Sequence, residues 1–364
     1  MTDYIYSDKN WPEFTWDDSE IILILGKIRH DQGKLIGKMT ALGFSTEEAA
    51  ALEITALEII KSFEIENERL NEQEVYSSIA RHLGLNIPGL IPSGRNIDGT
   101  VEMIMDATQN YSERLTKERL FKWHTLLFSD SSYPVEIIGQ WSPNQMYVIA
   151  GKNAGKERIR YIAPNPENTP AEMDIFLDWI NNDEKTDPVI KAGVAHLWFL
   201  LIHPFEDGNG RLARAMTDML LARSDGIPQR FYSMSVQIQK ERKDYYENIQ
   251  KAQIGTMDIT EWLKWFLGCL ERAVESSEII VKKTIQKAEF WRKYSKTALN
   301  ERQRKVVNIL LEGFDGKLTS SKWAKITKVS QDTALRDITD LMEKGILRKE
   351  NKGGRSTNYE LAEF

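Results

Sequence analysis

Residues 188–202 form a nearly unbroken apolar run, Pro188-Val189-Ile190-Lys191-Ala192-Gly193-Val194-Ala195-His196-Leu197-Trp198-Phe199-Leu200-Leu201-Ile202. This run limits the folds open to the chain. A helix with no polar face must be buried all round, so the remaining elements have to be arranged about it. The longest mostly apolar stretch, Ala192 to Phe205, is interrupted by His196 and His203 and is too short to cross a bilayer. The start, Met1-Thr2-Asp3-Tyr4, lacks the basic-then-apolar pattern of a signal peptide. The expectation is a soluble, cytoplasmic protein with no membrane contact.

The other segments supply what such a helix needs. At about 150 residues per domain, 364 residues predict two or three domains. A composition 41% hydrophobic and 28% charged builds real cores and excludes disordered or collagen-like classes. The net charge of −6 argues against a chain-wide nucleic-acid coat. One cysteine, Cys269, excludes a disulfide framework and a Cys-rich zinc module.

Periodicity predicts a mainly helical chain. Residues 17–43 read as a helix opened by Asp17, Asp18 and Glu20, which suit the positive end of the dipole. Ser45-Thr46-Glu47-Glu48 reads as a capping box for a second helix running to about Glu66. Further helices are expected at 72–84, 100–128, 171–181, 188–202, from Asn209 to Arg223, at 239–253 and at 258–292. Between them, Tyr147-Val148-Ile149 and residues 158–162 flank a Gly-containing loop, which predicts one β-hairpin.

The character changes near residue 298. Between Glu301 and Thr357 there are 13 Lys and Arg against 8 Asp and Glu, a net of +5. Helical segments near 302–312, 319–327 and 330–338 precede two strand-like runs, 346–348 and 357–361, joined by the basic turn Lys352-Gly353-Gly354-Arg355. Three helices and a basic hairpin predict a winged helix-turn-helix over 298–364. Lys328, Gln331, Thr333, Arg336, Lys352 and Arg355 are its candidate DNA contacts; a protein–protein or dimerisation module is the alternative.

The chemistry is concentrated in His203-Pro204-Phe205-Glu206-Asp207-Gly208-Asn209-Gly210-Arg211-Leu212-Ala213-Arg214. An imidazole ending a buried helix can act as a general base near neutral pH. Asp207, four residues on, is a hard oxygen ligand suited to Mg²⁺. Gly208-Asn209-Gly210 opens the next helix, so backbone N–H groups and the positive dipole end face an anion. Arg211 and Arg214 are three apart and can clamp further phosphate oxygens. Taken singly, each feature has a structural explanation. In this order they describe a phosphoryl or nucleotidyl transfer site.

This segment resembles the Fic family motif, H-P-F-x-[DE]-G-N-G-R-x-x-R, at every fixed position. The resemblance implies a Fic-type helical core with a small β-hairpin flap, and protein adenylyltransferase activity with ATP as substrate and Mg²⁺ as cofactor. His203 would take the proton from a target Ser, Thr or Tyr hydroxyl, and Asp207 would hold the metal. Gly208, Asn209 and Gly210 would stabilise phosphate oxygens, and Arg211 and Arg214 would bind the β- and γ-phosphates. The hairpin at 139–162 resembles the family's flap, with Gln145, Met146, Tyr147 and Val148 beside the target; Ser142 stands where many members carry Arg. Tyr246 and Gln253 resemble the adenine-side segment, although Asn is frequent at the position of Gln253.

Ser62-Phe63-Glu64-Ile65-Glu66-Asn67 resembles the family's inhibitory motif, [ST]-x-x-x-E-[GN]. In it Ser62 and Glu66 share one helix face, and the glutamate pairs with the second arginine, here Arg214. The implied layout is an N-terminal helical region over 1–95 with the inhibitory helix at about 45–67, a Fic core over 96–290, and the winged helix over 298–364. An auto-inhibited adenylyltransferase is the leading expectation. Removal of AMP by the same site, or a winged-helix regulator with an ATP-sensing core, stays open, as does a homodimer.

Overall fold

A computed structural model describes residues 4–41, 44–85, 89–130, 135–150, 158–314, 316–350 and 357–363. The chain divides into two compact units, residues 1–278 and 279–364.

The first unit is built around the apolar run. It forms α7 (Pro188–Ile202), and every residue from Val189 to Ile202 is buried. Its start is fixed by Asp187, whose side chain accepts the Val189 N–H at 2.8 Å, with Pro188 at the first helical position. Its polar residues are answered internally. Lys191 bonds the Asp183 backbone and lies 5.2 Å from the Trp179 ring centroid. His196 joins Thr217 Oγ1 at 2.8 Å and Tyr245 OH at 2.9 Å, and burial pushes its pKa down to about 3. Thr217 already donates to the Ala213 carbonyl, so His196 Nδ1 carries the proton and Nε2 accepts from Tyr245. The helix ends where His203 turns left-handed (φ 52°, ψ 57°) ahead of Pro204.

Around α7 lie α8 (Asn209–Asp225), α6 (Thr169–Asn182) and α11 (Thr260–Lys293). On α8 pack α4 (Arg95–Gln109), α5 (Lys117–Leu127) and the N-terminal α2 (Phe44–Ile65), which also meets α9 (Met234–Lys240). α1 (Asp18–Thr40), α3 (Glu72–His82) and α10 (Arg242–Gln253) complete the helices. The N-terminal helices therefore share one unit with the central pair.

Several boundaries differ from expectation for local reasons. The expected helix at 100–128 is two helices, because Thr116 caps α5 by accepting the Arg119 N–H. The segment at 239–253 is likewise split. Ser233 caps α9 through the Val236 N–H, and Glu241 stands at the junction with α10. α2 begins at Phe44, and the side chains of Ser45, Thr46 and Glu47 lie outside the described residues. The hairpin is shorter than 139–162. β1 (Tyr147–Ala150) pairs antiparallel with β2 (Arg158–Ile162), Tyr147 opposite Ile162, with an irregularity between Val148 and Ile149.

The second unit contains α12 (Glu301–Gly313), α13 (Ser320–Thr327) and α14 (Gln331–Glu343), followed by β3 (Leu347–Lys349) and β4 (Tyr359–Leu361) as an antiparallel pair. Trp323, Ile338, Leu341, Val306 and Phe290 form its core. Lys328, Gln331 and Arg336 are exposed and Thr333 is half-buried. Lys352 and Arg355 lie outside the described residues. Among the described residues, no helix is long and apolar enough to cross a membrane.

One close approach sets the position of α5. A Cβ on Gly99 of α4 would run into the backbone carbonyl oxygen of Leu126. Backbone cannot yield as a flexible side chain can, so Gly99→Ala should lower stability by about 1–3 kcal/mol. Thermal unfolding of the full chain checks this.

Candidate active site

The segment between α7 and α8 is held by its own side chains. Asn209 Nδ2 donates to the Phe205 carbonyl at 2.7 Å, and Asn209 Oδ1 accepts the Phe205 N–H at 3.1 Å. Gly208 adopts φ +80°, and a Cβ there would meet Leu127 and the Phe128 ring. The loop is thus pressed onto the end of α5 and delivers the N-terminus of α8 into a cavity of about 180 Å³. Expected site residues His203, Asp207, Gly208, Asn209, Gly210, Arg211, Tyr246, Gln253, Val148 and Glu66 all line this cavity.

His203 is a neutral base in position. Its Nδ1 lies 3.3 Å from the Leu200 carbonyl oxygen, which can only accept, so the proton is on Nδ1 and Nε2 keeps its lone pair. Burial pushes its pKa below the ordinary imidazole value, more than the Leu200 contact and the Asp207 and Glu66 charges raise it. Asp207 is 56% exposed, accepts the Gly208 N–H at 2.6 Å and lies 3.4 Å from Arg211. It is a single hard carboxylate. Among the described residues, no group of three acidic, His or Cys side chains is placed to hold a metal ion. That donor set fits Mg²⁺, which commonly takes one or two carboxylates and completes its shell with phosphates and water.

Each arginine of the pair is 2% exposed and meets a carboxylate from the end of α2. Arg214 Nη2 donates to Glu66 Oε1 at 2.8 Å and to the Ser62 carbonyl at 2.9 Å, and Arg214 Nε donates to Ser62 Oγ at 2.8 Å. Arg214 Nη1 has no acceptor among the described residues. Arg211 lies between the Phe63 and Phe128 rings, 5.1 Å from each centroid, and donates to Glu68 Oε1 at 3.0 Å. Burial disfavours the Glu66 charge. The Arg214 guanidinium, with Arg211 and the Tyr246 hydroxyl, outweighs it and holds the carboxyl below its ordinary value. Glu66 also lies against the α8 terminus: a Cβ on Gly210 would collide with its Oε1.

The turn that presents Glu66 is a Schellman motif. Asn67 N–H donates to Glu64 O and Glu68 N–H to Phe63 O, each at 3.0 Å, with Asn67 at φ 63°. The Asn or Gly requirement after the glutamate is thereby a backbone requirement. Arg242 Nε bonds the Ile65 carbonyl oxygen at 2.6 Å, and Tyr246 OH donates to Glu66 Oε2 at 3.2 Å.

Asn209 uses its side-chain carbonyl and amide on the Phe205 backbone and so braces the loop. Gln145 does not face the cavity; its amide donates to the Ala163 carbonyl at 2.6 Å and closes the base of the hairpin. Met146 and Tyr147 also lie off the cavity, whereas Val148 lines it. Tyr245 is buried and bonded to His196, and it lines the cavity together with Tyr246. Ser142 is buried, and its N–H donates to the Pro204 carbonyl at 2.9 Å. Glu68, Arg242 and His124 carry no signal in the sequence analysis that marks them for the site.

A larger cleft of about 960 Å³ lies between residues 12–16 and α6, lined by Phe14, Trp16, Trp179 and Trp198. It shares no residue with the cavity and has no base beside an anion-binding terminus.

Residues 114–221 match the Fic/DOC family, and residues 4–85 match a domain of unknown function (DUF4172). Over 182 residues the chain is 27% identical to "Protein adenylyltransferase Fic" of Nematostella vectensis, covering 50% of this chain and 38% of that protein. It is 30% identical to the protein of the same name from Culex quinquefasciatus, covering 49% and 32%. The match thus spans only about a third of these relatives' length. A Fic family protein from Desulfovibrio desulfuricans G20 has a similar fold, with a TM-score of 0.52 at 20% identity over 96% of this chain and 98% of that one. A Fic domain containing signaling protein from Bacteroides thetaiotaomicron also aligns at 0.52 and 20%, over 70% and 98%.

If the left-handed Asn67 sets the turn, Asn67→Gly should be nearly neutral. Asn67→Val should cost about 1–2 kcal/mol, as expected for a β-branched residue forced to positive φ. Denaturant unfolding of both variants distinguishes the two costs.

Proposed function

This chain is a Fic-family protein, and on that premise we propose that it is an auto-inhibited protein adenylyltransferase, moving AMP from ATP to a Ser, Thr or Tyr hydroxyl of another protein. One observation carries the reading. A neutral imidazole with its Nε2 lone pair free lines the same cavity as a helix N-terminus, the buried Arg211 and the Glu66 carboxylate that holds Arg214. The name borne by the relatives, protein adenylyltransferase, supports the group transferred.

In this reading His203 Nε2 takes the hydroxyl proton as the hydroxyl oxygen forms its bond to the α-phosphorus. The bond from that phosphorus to the bridging oxygen breaks, and pyrophosphate leaves with the electron pair. The N–H groups at the start of α8 stabilise charge on the phosphate oxygens. Mg²⁺ at Asp207 would neutralise phosphate charge. Tyr246 and Gln253 form the nucleoside side of the cavity, and β1, which has no further strand paired to it among the described residues, offers an edge to a target backbone.

Auto-inhibition is supported by the position of Glu66. Its carboxylate lies on Gly210 and bonds Arg214, where a triphosphate would need both the helix end and the guanidinium. Glu68 engages Arg211 from the same turn. Glu66 and His203 share one cavity, so a Glu66-held water attacking an AMP-modified side chain is the second reading. The C-terminal unit we read as a winged helix whose exposed Lys328, Gln331 and Arg336 would meet duplex DNA.

With labelled ATP and Mg²⁺, Glu66→Gly should raise labelling of itself or of lysate proteins by at least about tenfold, the scale of a 1.4 kcal/mol coupling. Glu66→Gly/His203→Ala should abolish it; labelling retained in the double variant would remove His203 from its role. Because burial lowers the His203 pKa, Glu66→Gly labelling should persist below the ordinary imidazole value of about 6.5 and decline only at lower pH. A pH–rate profile reads this directly.

A further inference from the structure

His124 takes no part in the chemistry above, yet it is wholly buried beside the site with both ring nitrogens engaged. The Gly139 N–H donates to its Nδ1 at 3.0 Å, so the ring proton must sit on Nε2, which faces the Asp207 carbonyl oxygen at 3.3 Å. Its ring stacks on Phe205, with centroids 4.2 Å apart and planes 14° apart. One imidazole therefore joins the root of the hairpin to the backbone of the loop that opens α8. Neither end has slack. A Cβ on Gly139 (φ +71°) would collide with the Thr125 hydroxyl, and one on Gly208 with the Phe128 and Leu127 side chains, so side chains at the end of α5 press on the backbone of both segments. Other ties between them are the Ser142 N–H on the Pro204 carbonyl, the Glu206 carboxylate on the N–H groups of residues 136 and 137, and the Trp141 ring 4.9 Å from that of Phe205.

We propose that His124 is a positioning residue that couples the hairpin root to the Asp207 loop, so that phosphates arriving at the loop order the segment that holds the target. Through the ring, a shift of the Asp207 carbonyl moves the acceptor of the Gly139 N–H. A bond on one nitrogen alone could not transmit it. The inference rests on the reading of these segments as phosphate loop and target-holding hairpin.

The test uses the full chain carrying Glu66→Gly, with hydrogen–deuterium exchange measured with and without Mg·ATP. Binding should slow exchange over 203–212 and also over 135–148. Adding His124→Phe keeps a flat ring on Phe205 but removes both bonds. Slowing should then persist over 203–212 and vanish over 135–148. His124→Asn, which keeps a polar atom near Nδ1 only, and His124→Gln, which reaches the Nε2 position only, should each lose the same coupling. They carry the comparison if the Phe variant does not fold. In labelling assays, kcat should fall about tenfold, as for lost outer-shell partners, with KM for ATP changed less than about threefold. Nucleotide-dependent slowing over 135–148 that survives in these variants overturns the inference. No slowing at 203–212 in Glu66→Gly itself would overturn the nucleotide reading, and this inference with it.

Discussion

A guanidinium taken out of water must be answered by acceptors, and Arg214 is such a group, 2% exposed within the helix that opens the site. Its answer comes from more than a hundred residues upstream, from Ser62 on α2 and Glu66 just beyond its end. This requirement explains why the N-terminal helices and the central helix pair are one compact unit rather than two domains in series. It also fixes the register of α2. Displacing it by one residue would point Ser62 and Glu66 away from the arginine and bring Ile65 toward it.

The same economy runs through α5, which has no reactive side chain in the cavity. Its end supports Gly208, Phe128 shares the Arg211 guanidinium with Phe63, and His124 fixes two loop backbones. The loop geometry is therefore defined from below by packing and from within by Asn209. A backbone already shaped for an anion needs little reorganisation when charge develops, which is the physical basis of electrostatic stabilisation in such sites.

Much of this was legible in the sequence because it is local. Residues 203–214 carry an imidazole, a carboxylate, a helix start and an arginine pair in one stretch, and all but Arg214 among these line one cavity. The apolar run of α7 and the end of α2 near Glu66 were legible for the same reason, since helical periodicity is a short-range property. The breaks at Thr116 and Glu241 were hidden because apolar periodicity continues across them while the caps act through one side chain each. Glu68, Arg242 and His124 were hidden for a different reason. Each acts on a group far away in the chain, and an isolated acidic, basic or imidazole side chain carries no mark of its partner. Gln145 and Asn209 show the converse, where a polar side chain in the right segment is spent on the scaffold.

The Schellman turn at the end of α2 has a mechanical meaning. Glu66 sits on the last residue before the chain reverses, held by two main-chain bonds at Asn67 and Glu68 and by Arg242 on the Ile65 carbonyl. Helix termini fray at far lower cost than whole helices move. Unwinding this one turn withdraws the carboxylate while Ser62, a full turn deeper, keeps its grip on Arg214. The carboxylate is thus hinged separately from the helix that carries it.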